Sequence, residues 1–328
     1  MIYPWLQPAL DRWHQQLDAN RQPQAMIIEG SQGIGKSAMT RAIVAELLCR
    51  NPNPEPCGHC QSCRIYSSGQ HPDLMSVEAD KNLIKVAAIR SLVQFFIATA
   101  HSALHKVAVI KQADTMNSAA ANALLKVLEE PPDGSLLILQ TDRIHHLLPT
   151  IRSRCVKLKL HCQPAQYPSI KQWLQQQNEN LSSEQLERLW VLSPGLPLHI
   201  KTMAEDQVAA QLETHLNQML EYLMGQQSLV SVSQYLEQQV EQTHWSLLQA
   251  IFLHWLKVNN DSHQTPLNWS HGMHNWLFNQ SSANALVLNL CQLINTIMVN
   301  FNNQTKTRLL IESMLVQMKQ TTAENSIY

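Results

Sequence analysis

The chain has 328 residues, a length that suffices for about two or three domains. Hydrophobic residues make up 45% of it and charged residues 15%, a composition that excludes a disordered protein. Its 24 Lys and Arg against 25 Asp and Glu give a formal net charge of −1, which excludes a global basic field for nucleic acid. No apolar run approaches about 18 residues and the first residues lack a signal-peptide pattern, so we expect no membrane segment and a cytoplasmic protein.

The first half of the chain alternates short apolar runs with helical patterns. The runs Ala25–Glu29, Lys106–Ile110 and Leu136–Gln140 are nearly continuous in apolar character, as strands buried on both faces of a parallel sheet are. Helical patterns cover Ser37–Leu48 and Ser118–Leu128 between them. This alternation predicts an α/β domain.

The character of the sequence changes after about residue 163, where strand-like runs nearly vanish. Leu310, Met314 and Met318 follow one another at helical spacing, which predicts a stripe that faces the core or a partner. The second half is therefore predicted to be all-α, with helical segments over 167–177, 183–192, 206–223, 231–257, 283–301 and 304–319.

One loop collects glycine, which is otherwise scarce. Three of only nine glycines, Gly30, Gly33 and Gly35, fall in a stretch that ends in Lys36 and Ser37 and fits G-x-x-x-x-G-K-[ST] between an apolar run and a helix. Glycine lets the backbone approach phosphate oxygens, the lysine would neutralise the β- and γ-phosphates, and the serine would ligand Mg²⁺. The pattern predicts a nucleotide site, with an ordinary glycine-rich turn as the alternative.

A phosphate loop alone does not hydrolyse ATP, because P-loop ATPases also carry an acid at the end of a neighbouring strand. Lys111 and Gln112 follow the second predicted strand, and neither is a carboxylate. Asp114 lies two positions further on and is expected to turn away from the phosphates. We therefore expect weak or absent hydrolysis. The alternative is that a different strand supplies the acid, through Asp73 or Glu78.

Four of the seven cysteines, Cys49, Cys57, Cys60 and Cys63, fall within fifteen positions. In a cytosolic chain such a cluster indicates a metal site rather than disulfides, and four thiolates make a closed, structural zinc site. The proline-rich stretch between them needs help to fold, which a bound metal supplies. His59 is a weaker candidate ligand, and a redox CxxC pair is the runner-up, disfavoured because four cysteines share the loop.

Together these motifs resemble the bacterial DNA polymerase III clamp-loader subunits, gamma/tau and delta prime, which are AAA+ proteins. The resemblance rests on the cysteine group after the P-loop helix, on NALLKVLEEPP at 122–132 and on IRSRC at 151–155. The start, YPWLQP at 3–8, looks like the delta-prime N-terminus. The resemblance covers essentially the whole chain.

The resemblance implies three domains. These are an AAA+ P-loop domain over 1–163 with its zinc module at 49–63, a helical lid over 164–205, and a helical collar over 206–328. It also implies assembly with gamma/tau and delta subunits in a hetero-oligomeric ring that acts in DNA replication. The sliding clamp and primer–template DNA would be contacted through the assembled complex, with no membrane involved.

Two departures from gamma/tau indicate a subunit that does not hydrolyse ATP. Those subunits carry Asp-Glu where this chain has Lys111 and Gln112, and a lid arginine where it has the stretch Gly195–Leu198. Both losses match delta prime, although the intact P-loop departs from many delta-prime members. Thr141 occupies the family's sensor-1 position. The resemblance thus implies binding of ATP or ADP with Mg²⁺, without turnover.

In the family, the arginine of Ser-Arg-Cys reaches across the subunit interface to ATP in a neighbouring subunit. Arg154 is accordingly the candidate arginine finger, expected to be exposed at a strand's edge, with a surface salt bridge as the alternative. Arg152 is expected to be structural or solvated. Glu129 and Glu130 are expected to have a helix-end role rather than an acid–base role, because adjacent helix positions point apart.

The sequence is compatible with three functions. The first is a structural and regulatory clamp-loader subunit of the polymerase III holoenzyme, with no independent catalytic activity. The second is an active gamma-type ATPase motor, which Lys111 and Gln112 disfavour. The third is a P-loop kinase or a zinc-dependent nucleic-acid binder working alone, which the neutral charge disfavours.

Overall fold

The computed structural model of the chain describes residues 2–19, 21–52, 55–81, 83–98, 105–178, 181–260, 270–278, 283–301 and 304–324. Two compact units divide the chain. The first extends to Gln172 and includes Gly195–His199, and the second takes Trp173–Pro194 and the residues from Ile200 onward. The predicted domain boundaries at 163/164 and 205/206 stay predictions.

The first unit is built on a parallel five-stranded sheet in the order β2-β3-β4-β1-β5. The three strands predicted from apolar runs are confirmed. Of the other two, β2 corresponds to the alternative strand between Asp73 and Glu78, and β5 was not predicted, because it alternates lysine with apolar residues at the edge of the sheet. The strands are β1 (Ala25–Glu29), β2 (Leu74–Val77), β3 (Lys106–Ile110), β4 (Ser135–Thr141) and β5 (Val156–Lys159).

Both faces of the sheet are covered. Ile27 and Leu137 belong to one core cluster with Ile89 and Leu124 from the helices, while Ile28, which points to the opposite face, is also fully buried. The α/β prediction is therefore confirmed, and both predicted helices are confirmed to within one residue. The helices are α1 (Gln7–Asp18), α2 (Lys36–Leu48), α3 (Gln61–Ser67), α4 (Val86–Ile97), α5 (Ser118–Glu129) and α6 (Pro149–Arg154).

The second unit is helical in its described residues, as predicted. The single helix predicted over 231–257 is wrong, because the chain leaves the helical conformation at Val240, where the backbone is extended and the side chain is buried. No glycine or proline marks this break. The remaining helices are α7 (Tyr167–Gln177), α8 (Ser183–Leu192), α9 (Pro197–Glu205), α10 (Val208–Leu223), α11 (Leu229–Gln239), α12 (Gln242–Asn260), α13 (His271–Phe278), α14 (Ala283–Asn300) and α15 (Gln304–Glu324).

Apolar helix faces form the core of this second unit. Helix α14 packs on α12 and α15, and on α15 Met314 and Met318 of the predicted stripe are fully buried while Leu310 is half-buried. Within the described part of the chain, α14 alone is long and apolar enough to cross a membrane by length and composition, at a mean hydropathy of 1.2. Leu290, Ile294 and Ile297 are buried inside the unit, and the core helix of a helical bundle meets the same criterion.

Candidate functional site

The glycine-rich loop connects β1, which is hydrogen-bonded between β4 and β5, to the start of α2. Gly33 and Gly35 have φ angles of +84° and +107°, in the left-handed region that favours glycine. A Cβ atom on Gly33 would lie 2.7 Å from the Cβ of His199, so a side chain there would also clash. Gly35 caps α2 without a side-chain hydrogen bond, which leaves the helix N-terminus open toward an anion.

A cavity of about 410 Å³ opens above this loop. Five charged side chains line it among the described residues: three cations, Lys36, Arg41 and Lys111, and two carboxylates, Glu78 and Asp142. The volume is in the range of small-ligand sites. Loop residues from Gln32 to Ala38, together with Tyr3, Ala79, Gln112, Gln140 and Leu198, complete the wall.

The ammonium group of Lys36 is occupied by protein oxygens. It donates to the carbonyl oxygens of Gly30 at 2.7 Å and Ser31 at 3.0 Å, and it lies 2.5 Å from Oδ1 of Asp142. An ammonium group has three N–H donors, so these contacts account for all of them. A phosphate can therefore reach the lysine only by displacing one of them, and the Asp142 contact is the one between side chains.

The candidate acids are either bonded to other side chains or lie away from the cavity. Glu78 forms an ion pair with Lys111, at the position after β3 where a P-loop ATPase carries its acid. Asp114 is turned away, as expected: it accepts the hydroxyl hydrogen of Thr141 at 2.9 Å and pairs with Arg143 at 3.1 Å. Asp73, the other alternative, is buried at the opposite end of β2.

The residues present fit a phosphate anion but not an accompanying Mg²⁺ ion. Ser37 lies on the cavity wall, but each described carboxylate of the wall forms an ion pair with a lysine. Lys111, at the position of the missing acid, repels a cation. Thr141 does not line the cavity, and its hydroxyl is held by Asp114. Its role as a sensor stays a prediction.

Sequence reasoning missed two contributions to this site. The first is Asp142 on Lys36. The second is the N-terminal segment, in which Trp5 donates its indole N–H to the Ile34 carbonyl at 2.7 Å and stacks on Tyr3 at a centroid distance of 4.8 Å. Tyr3 thereby forms part of the cavity wall. No local pattern indicates contacts across 29 residues.

The four cysteines do come together. Their Sγ atoms all lie within 4.8 Å of one another, and those of Cys49 and Cys57 are 3.6 Å apart. Four sulfurs at about 2.3 Å around a zinc ion lie about 3.8 Å from each other, so the cluster fits a tetrahedral ion. His59 is outside the cluster, since its Nδ1 lies 2.7 Å from the Cys57 carbonyl.

Backbone amides prepare two of these thiols for ionisation. N–H groups of His59 and Cys60 lower the pKa of Cys57, and those of Arg50 and Cys63 lower the pKa of Cys60 to about 6. Burial instead raises the pKa of Cys63 to about 12. A dication at the centre would favour the thiolate at every position.

A buried hydrogen-bonded relay connects the cysteine module to the sheet. Ser62 donates to the Leu48 carbonyl at the end of α2, and its oxygen lies 2.8 Å from Nε2 of His71. Nδ1 of His71 accepts from the backbone N–H of Asp73 at 3.1 Å, next to β2. Because Nδ1 is the acceptor, the ring is neutral with its proton on Nε2, and burial lowers its pKa.

Arg154 ends α6 rather than lying on a strand, and β5 begins two residues later. Its side chain is 37% exposed, and its guanidinium donates to Glu129 at 3.0 Å and to the Thr150 carbonyl at 3.1 Å. Glu129 is the last residue of α5 and Glu130 its C-cap, which confirms their helix-end position. The exposed pair leaves the arginine able to exchange partners at small cost.

Comparison with known proteins shows what the chain is similar to. A family model described as "DNA polymerase III, delta subunit" matches residues 5–164. The "DNA polymerase III subunit delta'" of Pseudomonas aeruginosa is 38% identical over 200 residues, 60% of each chain, and that of Escherichia coli is 35% identical over 60% of this chain and 58% of its own. The Haemophilus influenzae protein of the same name is 26% identical over 95% of this chain and 96% of its own.

Residues 5–164 thus match the polymerase III delta-subunit family model, and relatives named DNA polymerase III subunit delta' are 26–38% identical to the chain. The stretch that the family model matches contains the P-loop, the cysteine cluster and Arg154. The chain spans about half to three fifths of the length of the first three delta' relatives that it matches. The Haemophilus influenzae alignment covers 95% of the chain and therefore includes most of the helical second unit, at 26% identity.

Proposed function

We propose that the chain is a non-hydrolysing subunit of the DNA polymerase III clamp loader, acting in DNA replication in the cytoplasm. The observation that carries this proposal is the combination, in a chain similar to delta' subunits, of a complete phosphate loop with Lys111 and Gln112 in place of the catalytic acids. Such a subunit can bind a nucleotide and respond to it without consuming it.

The proposed partners are the gamma/tau and delta subunits, joined with this chain in a hetero-oligomeric ring. The helical second unit supplies the exposed apolar side chains that such an association buries, among them Val299, Leu309 and Leu288. The sliding clamp and primer–template DNA are engaged by the assembled ring, which agrees with a chain of net charge −1.

The cavity over the P-loop is proposed to bind ATP or ADP. The open N-terminus of α2 and the loop amides receive the phosphates, and Lys36 turns from Asp142 to the β-phosphate. Tyr3, stacked on the buried Trp5, provides an aromatic side chain in the wall beside the loop. Lys111 and Gln112 follow β3 at the place from which an acid activates water in P-loop ATPases, so the bound nucleotide persists.

Zinc is proposed as the structural ion of the cysteine cluster, held by Cys49, Cys57, Cys60 and Cys63 with no open position. The ion links the end of α2, which starts in the P-loop, to α3. The zinc module therefore fixes the C-terminal end of α2, the helix that carries Lys36 at its N-terminus.

Arg154 is proposed to act in trans on a nucleotide bound by the neighbouring subunit. An arginine finger stabilises the charge of the transferring phosphoryl group and is worth about 10³–10⁵ in rate. Release from Glu129 costs little, because exposed ion pairs are worth about 0–1 kcal/mol. The chain thus completes an ATP site that it does not itself contain.

Reconstitution of the loader tests the proposal. Gamma/tau and delta subunits of the same organism, with and without this chain, are assayed for ring assembly by size exclusion and for placement of the sliding clamp on primed DNA. Loading that requires the chain supports the proposal, and loading that proceeds equally without it refutes the proposal.

The complete P-loop favours one competing function, an active gamma/tau-type ATPase motor. The chain alone, at equal concentration with its Lys36→Ala variant, distinguishes the two. Turnover by the unmodified chain that Lys36→Ala abolishes would establish the motor, whereas background rates in both fit the non-hydrolysing subunit.

A further inference from the structure

We propose that the cavity binds its nucleotide without a divalent cation, and that Lys111 supplies the positive charge that Mg²⁺ supplies in P-loop ATPases. This inference rests on the proposed nucleotide binding and specifies how that site works. Lys111 lies at the position where the family's motor subunits carry an acid, so the charge at this position is positive instead of negative.

The sheet fixes Lys111 at the cavity wall. Its backbone N–H donates to the Val77 carbonyl at 2.9 Å, which extends the β3–β2 ladder by one residue beyond Ile110. Gln112 then takes a left-handed conformation, φ +50° and ψ +48°, and ends the extended chain. Lys111 is therefore anchored at a strand end by its backbone, while its side chain stays 42% exposed.

The charge of the described wall favours an anion. Three cationic and two anionic side chains line the cavity, a formal charge of +1. An aspartate at position 111 would make that charge −1, which repels phosphate until a dication intervenes. Compared with aspartate, Lys111 thus changes the charge of the wall by two units, and the charges that line a cavity alter its affinity for an anion.

The two carboxylates of the wall cannot take a dication without breaking an ion pair. Glu78 is bonded to Lys111, and Oδ1 of Asp142 lies 2.5 Å from Nζ of Lys36. Mg²⁺ is dehydrated reluctantly and is usually held through one or two carboxylates as well as phosphate oxygens. An ion pair occupies each carboxylate before the nucleotide enters, so Mg²⁺ gains a protein ligand here only as a lysine leaves it, whereas the ammonium groups of Lys36 and Lys111 are already in place to meet phosphate oxygens.

Isothermal titration calorimetry with ADP tests the proposal on the full chain, in buffer containing Mg²⁺ and in buffer containing EDTA. The unmodified chain should bind ADP with affinities that differ less than about threefold between the two buffers. Lys111→Asp should lose about tenfold or more in EDTA and recover much of that loss in Mg²⁺. Lys111→Ala should lose affinity in EDTA by a smaller factor.

Lys85→Asp is the matched control. Lys85 also forms an exposed ion pair, with Asp80 at 3.4 Å in the same unit, but it does not line the cavity. Its variant makes the same change in charge and should bind ADP like the unmodified chain in both buffers. Melting curves and zinc content, measured on every variant, identify any that has lost its fold, and Lys111→Ala replaces Lys111→Asp in that case.

The outcomes separate this inference from the proposed function. Binding by the unmodified chain only when Mg²⁺ is present leaves nucleotide binding intact and overturns the cation-independent site. Equal affinities of the unmodified chain and both Lys111 variants in EDTA also overturn it. Binding in neither buffer refutes nucleotide binding itself, and this inference falls with it.

Discussion

Asp142→Asn should make the P-loop more receptive to nucleotide. In the structure Asp142 holds Lys36 by its shortest contact, 2.5 Å, while the two remaining N–H groups bond carbonyl oxygens of the loop itself. The amide is nearly isosteric with the carboxylate and keeps a weak acceptor, but it removes the charge. Lys36 then turns to a phosphate without breaking an ion pair.

The expected gain follows from the exposure of the pair. The Lys36 side chain is 13% exposed and that of Asp142 40%, so solvent screens the pair and its rupture costs about 1 kcal/mol. A difference of 1 kcal/mol corresponds to about a fivefold change in the dissociation constant. Asp142→Asn should therefore bind ADP about five times more tightly in EDTA than the unmodified chain does.

Calorimetric titration with ADP measures this gain, and Asp80→Asn provides the control. Asp80 is an exposed acid of the same unit that does not line the cavity, so its variant changes the net charge equally and should bind ADP as the unmodified chain does. Unchanged or weaker binding by Asp142→Asn would refute the view that Asp142 competes with phosphate for Lys36. An equal gain in both variants would assign the effect to net charge alone.

Three further predictions concern the metal, acid stability and turnover. Cys60→Ser should lose the bound zinc and about 10 °C or more of melting temperature, whereas Cys162→Ser, outside the cluster, should keep about one zinc per chain by elemental analysis. Burial and the neighbouring His244 lower the pKa of His215 to about 4. Below pH 6.5, His215 is therefore protonated in the unfolded chain while it stays neutral in the folded chain. By pH 4 about 3 kcal/mol of stability should be lost, and denaturant titrations of His215→Gln should show a flatter profile over that window. Coupled-enzyme assays of the isolated chain should detect no more ATP turnover than in Lys36→Ala, and a clear excess would overturn the loss of the acid as the explanation.

The sequence predicted those features that arise from local pattern. Continuous apolar runs located the three strands buried on both faces, the spacing of glycines located the phosphate loop, and cysteine spacing located the metal cluster. Each of these depends on neighbours within a few positions. The replacement of the catalytic acid by Lys111 could also be predicted from the sequence, because Lys111 directly follows the predicted strand Lys106–Ile110.

Features that depend on distant partners were not predictable. Asp142 reaches Lys36 across more than a hundred positions because β4 and β1 are adjacent in the sheet, which the order of strands along the chain does not show. The break at Val240 carries no glycine or proline and is set by packing, so helical periodicity ran through it. Strand β5 was missed because its exposed lysines interrupt the apolar signal that marks buried strands.

The central claim, that this chain acts on a neighbour's nucleotide through Arg154, is tested by one comparison in the reconstituted loader. Glu129→Gln is the matched variant, because it removes the same intramolecular ion pair and leaves the arginine in place. DNA-stimulated ATP hydrolysis and clamp placement are measured with the unmodified subunit, Arg154→Ala and Glu129→Gln, after size exclusion has shown each ring to be complete. The account predicts that Arg154→Ala lowers ATP hydrolysis in part and clamp placement more strongly, while Glu129→Gln retains both. Equal rates for all three subunits, or equal losses in the two variants, would contradict it, since Arg154 would then be only half of a surface ion pair.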